Sequence, residues 1–131
     1  MERIVILGAG ESGTGAALLA KKEGFETFVS DLGAISETYK VLLNQYHIDF
    51  EEQGHTKELI VNADLVVKSP GIPPKVPLVQ DLVARGIPVI DEVEWAARFT
   101  DATLIAITGS NGKTTTTRII HHILYTAGLK V

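Results

Sequence analysis

Two glycine-rich stretches hold the residues of this chain best suited to chemistry. The first, Gly8-Ala9-Gly10-Glu11-Ser12-Gly13, fits the spacing Gly-x-Gly-x-x-Gly. Glycines at that spacing permit a tight turn and a close backbone approach to phosphate. A helix starting there would add free N–H groups and the positive end of its dipole. The chemistry indicated is binding of a nucleotide or nucleotide sugar. Asp31 ends the next apolar run, where a dinucleotide site places an acid against a ribose. The plainer reading of the same glycines is tight packing of a strand against a helix. Glu11 puts a negative charge where a pyrophosphate would lie, or else serves the helix dipole as a structural residue.

The second stretch is Thr108-Gly109-Ser110-Asn111-Gly112-Lys113-Thr114-Thr115. It follows a β-branched run and precedes a helical pattern, so its backbone N–H groups are placed to cradle phosphate. Lys113 would neutralise β- and γ-phosphate charge, and the Thr114 hydroxyl would sit on Mg²⁺. The strict phosphate-loop pattern wants glycine six residues before the lysine. Ile107 stands there, so this is a shorter variant. A glycine-rich turn with a solvated lysine is the alternative. Four consecutive threonines, Thr114 to Thr117, weaken it, because threonine is a poor interior helix former but useful in a first turn.

A third segment, Ser69-Pro70-Gly71-Ile72-Pro73-Pro74, cannot be helix or strand interior. It follows an apolar run whose carboxyl end should open onto the crevice beside Gly8–Gly13. By itself it reads as a rigid connection. His47, His55, His121 and His122 have no metal-ligand spacing and read as packed or solvated. Trp95 reads as a packing residue.

The elements that must position these residues alternate. Arg3–Leu7, Thr27–Ser30, Leu65–Val67 and Pro88–Ile90 read as buried strands, with an edge strand at His47–Phe50. Helical patterns lie between them: Ala16–Ala20 closed by Gly24, Ser36–Asn44, a helix ending at Leu59–Asn62, Val76–Ala84, and Glu92–Phe99. Strand–helix alternation with short connections predicts an α/β fold, a doubly wound, mainly parallel Rossmann-like sheet flanked by helices. The pattern then restarts. Thr103–Ile107 reads as another buried strand, leading through the second glycine loop into a helix whose apolar face is Ile119, Ile120, Ile123 and Leu124. The expected division is residues 1–93 as one complete domain and 94–131 as a junction helix with the strand–helix start of a second.

Composition narrows the classes. The 131 residues are 45% hydrophobic and 21% charged, which excludes disorder, collagen and coiled coil. The net charge of −4 argues against a broad nucleic-acid surface. No apolar run approaches the roughly 20 residues of a membrane span. The chain has no cysteine, which excludes disulfides and thiolate metal sites and fits a cytoplasmic protein.

Gly109–Thr115 resembles the ATP loop of the Mur ligases and their folylpolyglutamate synthase relatives. The Gly8–Gly13 loop, Asp31, Ser69-Pro70-Gly71-Ile72 and Asp91-Glu92-Val93-Glu94 follow in the family's order. The resemblance covers the whole chain. It is strongest to the branch that adds D-glutamate to UDP-N-acetylmuramoyl-L-alanine, with another Mur-type ligase as a neighbouring reading. It implies an ATP- and Mg²⁺-dependent, amide-forming enzyme of peptidoglycan precursor synthesis, built from three domains. This chain would be the UDP-binding domain and the start of the ATP domain, inactive alone. By resemblance, Gly10, Glu11, Ser12, Asp31, Leu32, Ser69, Pro70 and Gly71 contact the UDP moiety, with Asp31 on the uracil ring. Gly109, Ser110, Asn111, Gly112, Lys113, Thr114 and Thr115 hold ATP, with Thr114 on the metal. Glu11 and Leu32 stand where the family often has an apolar and a hydroxyl residue, so backbone contacts are expected there.

The competing reading of the first 100 residues is an NAD-binding oxidoreductase domain, which would need no second phosphate loop. A non-catalytic nucleotide-binding regulator is a third. The stop at Leu129-Lys130-Val131, where a new apolar segment begins, reads as a cut through a longer protein. On that reading the helix face from Ile119 to Leu124 lacks its sheet, and is expected to pack back on the first domain or on a second copy of the chain.

Overall fold

The computed structural model describes all 131 residues, in two compact units, Met1–Thr100 and Asp101–Val131. The first is a five-stranded, all-parallel sheet. Its strands are β1 (Arg3–Leu7), β2 (Glu26–Ser30), β3 (Asp49–Glu51), β4 (Leu65–Lys68) and β5 (Val89–Asp91), in the order β3-β2-β1-β4-β5. The intervening helices are α1 (Glu11–Lys22), α2 (Glu37–Gln45), α3 (Lys57–Ile60) and α4 (Pro77–Ala84), and α5 (Glu92–Ala97) follows β5.

The continuous apolar runs reflect a sheet covered on both sides. Ile4 and Ile6 point into one core with Val29, Val67, Ala17 and Ala20 of α1, Leu43 of α2 and Trp95 of α5. Val5 and Leu7 point into the other with Phe28, Val66, Ile60 of α3 and Leu82 of α4. Strand order reverses between β1 and β4, the place where an open α/β sheet forms its ligand crevice. Register there pairs Leu7 with Lys68, so the Gly8 and Ser69 loops leave the sheet side by side.

Helix ends follow local chemistry. Gly24, at φ +87°, closes α1, and the Phe25 N–H reaches back to the Ala20 carbonyl. His47 sits in the left-handed region at φ 52° and closes α2. The edge strand therefore begins at Asp49, two residues later than expected. Helix α5 stops at Ala97, short of Phe99, because the N–H groups of Arg98 and Phe99 turn back to the carbonyls three residues earlier. The first unit runs to Thr100, beyond the expected 93/94 division. Trp95 is buried, donates its indole N–H to the Ala16 carbonyl and packs edge-on against Phe25 and Phe99.

The second unit contains one helix, α6 (Lys113–Thr126). The strand expected at Thr103–Ile107 does not form: no segment pairs with it, and an apolar β-branched run has no ladder without a neighbouring edge. Along α6, Ile119 and Ile123 are exposed, while Ile120 and Leu124 are half-buried.

Candidate functional site

The crevice of the first unit is built from the loops after β1, β2 and β4. Gly8 (φ +96°) turns the chain out of β1 and donates its N–H to the Ser30 carbonyl at 2.9 Å. A Cβ on Gly8 would come within 3.0 Å of the Ser69 Cβ, so glycine is what lets the two loops touch. A Cβ on Gly13 would press into the Gly8 carbonyl. This third glycine of the motif therefore lets α1 lie against its own loop. Gly10 meets nothing and is the N-cap of α1, with no side chain capping the helix. The first-turn N–H groups consequently point into the crevice without a side-chain acceptor, which suits an anion.

Asp31 ties two of these loops together. Its Oδ2 accepts the Ala9 N–H at 2.6 Å and its Oδ1 accepts the Gly33 N–H at 2.7 Å. The carboxylate therefore fixes the glycine loop and its own turn, and each oxygen keeps a lone pair for a ligand donor. Leu32, beside it, is 71% exposed and makes no polar side-chain contact. The loop beyond is held by Glu52, which accepts from the Ile35 N–H and pairs with Lys40. These two interactions hold the Glu52 carboxyl below its ordinary range. On the third loop the Ser69 N–H bonds the Leu7 carbonyl at 2.8 Å, and the Ile72 N–H closes a turn on the Ser69 carbonyl. Pro70 and Gly71 are exposed at the tip of that turn. Gly10, Glu11, Ser12, Asp31, Ser69, Pro70 and Gly71 are thus carried at one edge of the sheet.

Two arrangements at this edge escape sequence reading. Ser30 is fully buried at the end of β2; its hydroxyl lies 2.7 Å from Glu51 Oε1 and 2.6 Å from His55 Nδ1. A carboxylate can only accept, so Ser30 donates to Glu51 and accepts from His55, which places the imidazole proton on Nδ1. Burial pushes the Glu51 carboxyl up, but hydrogen bonds from Ser30 and Thr56 outweigh it and leave the group below its usual range. Second, the Ser12 hydroxyl donates to Glu92 Oε1 at 3.0 Å, joining the first turns of α1 and α5. Glu92 is only 6% exposed, and its Oε2 meets no hydrogen-bond donor of the chain. Sequence marks Glu92 by its place in the Asp91-Glu92-Val93-Glu94 segment directly after β5, but not its contact with Ser12.

In the second unit Gly109 and Gly112 have φ of +149° and +79°, and Gly112 is the uncapped N-cap of α6. Lys113 Nζ folds back onto the Gly109 carbonyl at 2.7 Å, so the loop closes around its own lysine. Ser110, Asn111, Thr114 and Thr115 are exposed along the same turn. A free helix N-terminus, an exposed cation and a first-turn hydroxyl are a donor set that fits a polyphosphate with its Mg²⁺. Nowhere in the chain do three His, Asp or Glu side chains gather to hold a metal. His121 stacks on Tyr125.

Comparison with known proteins agrees with this geometry. The model of the MurD N-terminal domain matches residues 3–78. A UDP-N-acetylmuramoylalanine–D-glutamate ligase of Bacteroides thetaiotaomicron is 64% identical over all 131 residues, and one of Bacteroides fragilis is 60% identical over the same span. The chain spans about 30% of the length of each. Among solved structures, the murein peptide ligase of Psychrobacter arcticus superposes with a TM-score of 0.70 at 28% identity, over 98% of this chain and 27% of that one. With its three crevice loops at the β1/β4 switch point and a family match over more than half its length, this chain belongs to the MurD N-terminal domain family.

Proposed function

We propose that this chain is the N-terminal part of an ATP-dependent ligase that joins D-glutamate to UDP-N-acetylmuramoyl-L-alanine in the cytoplasm. The observation that carries this reading is the pair of uncapped helix N-termini behind glycine loops, one in each unit. The α1 loop, with Asp31 and the Ser69–Gly71 turn, receives the UDP moiety. Asp31 offers its remaining lone pairs to the uracil N–H. The Gly109–Thr115 loop receives the ATP phosphates. An oxidoreductase reading gains no support from relatives named as ligases.

A carboxylate is a poor acyl donor. Transfer of the γ-phosphoryl group of ATP to the alanine carboxylate gives an acyl phosphate. The amine of D-glutamate then attacks that carbonyl, the amide forms and phosphate leaves. This chain's contribution is positioning and charge. Lys113 leaves the Gly109 carbonyl and pairs with phosphate oxygens, and the α6 N-terminus faces the same charge. Thr114 would be the residue that holds Mg²⁺, which supplies charge neutralisation on the phosphates. The relatives are more than three times as long, so the D-glutamate pocket and the rest of the metal shell belong to other parts of the protein.

The test is phosphate release by the longer protein carrying this chain. Release that requires ATP, UDP-N-acetylmuramoyl-L-alanine and D-glutamate together supports the reading. Release indifferent to D-glutamate contradicts it, as does amide formation by residues 1–131 alone.

A further inference from the structure

The Ser12–Glu92 pair poses a problem of proton count. A serine hydroxyl has one proton, and here it is directed to Glu92 Oε1. Toward the α1 N-terminus Ser12 therefore presents lone pairs, which repel an anion. If Ser12 turned its proton to a phosphate, both carboxylate oxygens of Glu92 would be left without donors in a site only 6% exposed. A buried, unpartnered carboxylate is costly.

The surroundings offer that carboxylate little help. The cleft beside it is lined by Gly15, Ala16 and Leu19 of α1 and by Val93, Trp95 and Ala96 of α5. The charged groups on the packed elements are Glu11 in the first turn of α1 and Lys21 and Lys22 in its last, Asp91 at the end of β5, Glu94 of α5 and Lys68 at the end of β4. Asp91 accepts the Glu94 N–H, and Glu94 pairs with Arg98. Lys68 is in register with Asp91, and no cation forms an ion pair with Glu92.

We propose that Glu92 is a proton-accepting positioning residue for the diphosphate site: when phosphate occupies the α1 N-terminus, a proton from solvent binds Glu92 and reverses its hydrogen bond with Ser12. The protonated Oε1 then donates to Ser12 Oγ, and the Ser12 hydroxyl proton turns to a phosphate oxygen. One O–H bond forms on Glu92, none is broken within the protein, and the proton comes from water. The arriving negative charge drives the step, since like charge disfavours the ionised carboxyl. The buried orphan becomes a neutral carbonyl oxygen. This rests on the reading that the α1 loop takes the diphosphate of a UDP ligand.

Titration calorimetry of the chain with UDP-N-acetylmuramoyl-L-alanine at pH 6, in buffers of different ionisation enthalpy, tests it. The wild type takes up at least roughly half a proton per ligand, and its affinity falls about threefold or more per pH unit. Glu92→Gln, whose amide can donate to Ser12 at any pH, binds without uptake and with a flat pH profile. Ser12→Ala, at an exposed position, binds more weakly, because no hydroxyl remains to turn to the phosphate. Equal uptake in wild type and Glu92→Gln, or undiminished affinity in Ser12→Ala, overturns the proposal while leaving the UDP reading intact. Absence of binding in the wild type overturns both.

Discussion

The Asp31 carboxylate, at the end of β2, accepts the backbone N–H of Ala9 from the loop after β1 at 2.6 Å. One side chain thereby links the base-binding and phosphate-binding ends of the proposed site. Asp31→Ala removes this bond and the one from Gly33. Charge-assisted bonds of this kind contribute about 1.5–3 kcal/mol each when both partners are desolvated, and Asp31 is half-exposed, so a total loss of about 1–3 kcal/mol is expected in urea unfolding. UDP-ligand affinity falls roughly tenfold or more, since both loop geometry and a ligand acceptor are lost.

The glycines of the α1 motif are not equivalent. Gly13→Ala drives a methyl into the Gly8 carbonyl and is expected to cost more than about 2 kcal/mol or to prevent folding. Gly15 lies two residues on, inside α1, with open space around its Cβ position. Gly15→Ala is expected to stabilise the chain by about 0.5–1 kcal/mol. Equal effects of the two substitutions on the urea midpoint would contradict this assignment.

The Ser30–Glu51–His55 cluster gives an acid sensitivity of known sign. The folded Glu51 carboxyl lies below the ordinary glutamate value of about 4.5. Its contribution is therefore fully present above about pH 4.5 and is lost as pH falls through the depressed folded value. Glu51→Gln lowers stability at pH 7 and flattens the fall in stability below pH 4.5. Ser30→Ala, which removes a fully buried hydroxyl with two partners, costs about 1–3 kcal/mol at pH 7. Chemical unfolding at a series of pH values reads both effects.

Lys113 tests the separation of roles between the units. It is exposed and bonds only the Gly109 carbonyl, so Lys113→Ala should leave folding unchanged. In the longer protein it reduces ligase turnover roughly 100-fold or more. UDP-ligand binding, proposed for the unit Met1–Thr100, stays within about twofold. A parallel loss of UDP affinity would contradict the division.

What the sequence made legible was local. The run Arg3–Leu7 is apolar at every interior position because both faces of β1 are covered, and Gly8, Gly10 and Gly13 occupy a strand–helix turn whose sterics need them. Residues 103–107 show the limit of that reasoning. Composition marks an apolar run but does not supply the neighbour that makes it a strand. The His47 conformation that delays β3 is a backbone choice that residue type does not announce. Ser12 and Glu92 are eighty residues apart, and their contact depends on α5 packing back against α1, where Trp95 bonds the Ala16 carbonyl. For the same reason Ser30 and His55 looked unremarkable in sequence, though they share a hydrogen bond in the fold.

The most direct test of the central claim is calorimetric titration of residues 1–131 with UDP-N-acetylmuramoyl-L-alanine and, separately, with NAD. Saturable binding of the UDP compound, weakened roughly tenfold or more in Asp31→Ala and absent with NAD, is the predicted result. Tighter binding of NAD than of the UDP compound would contradict the account.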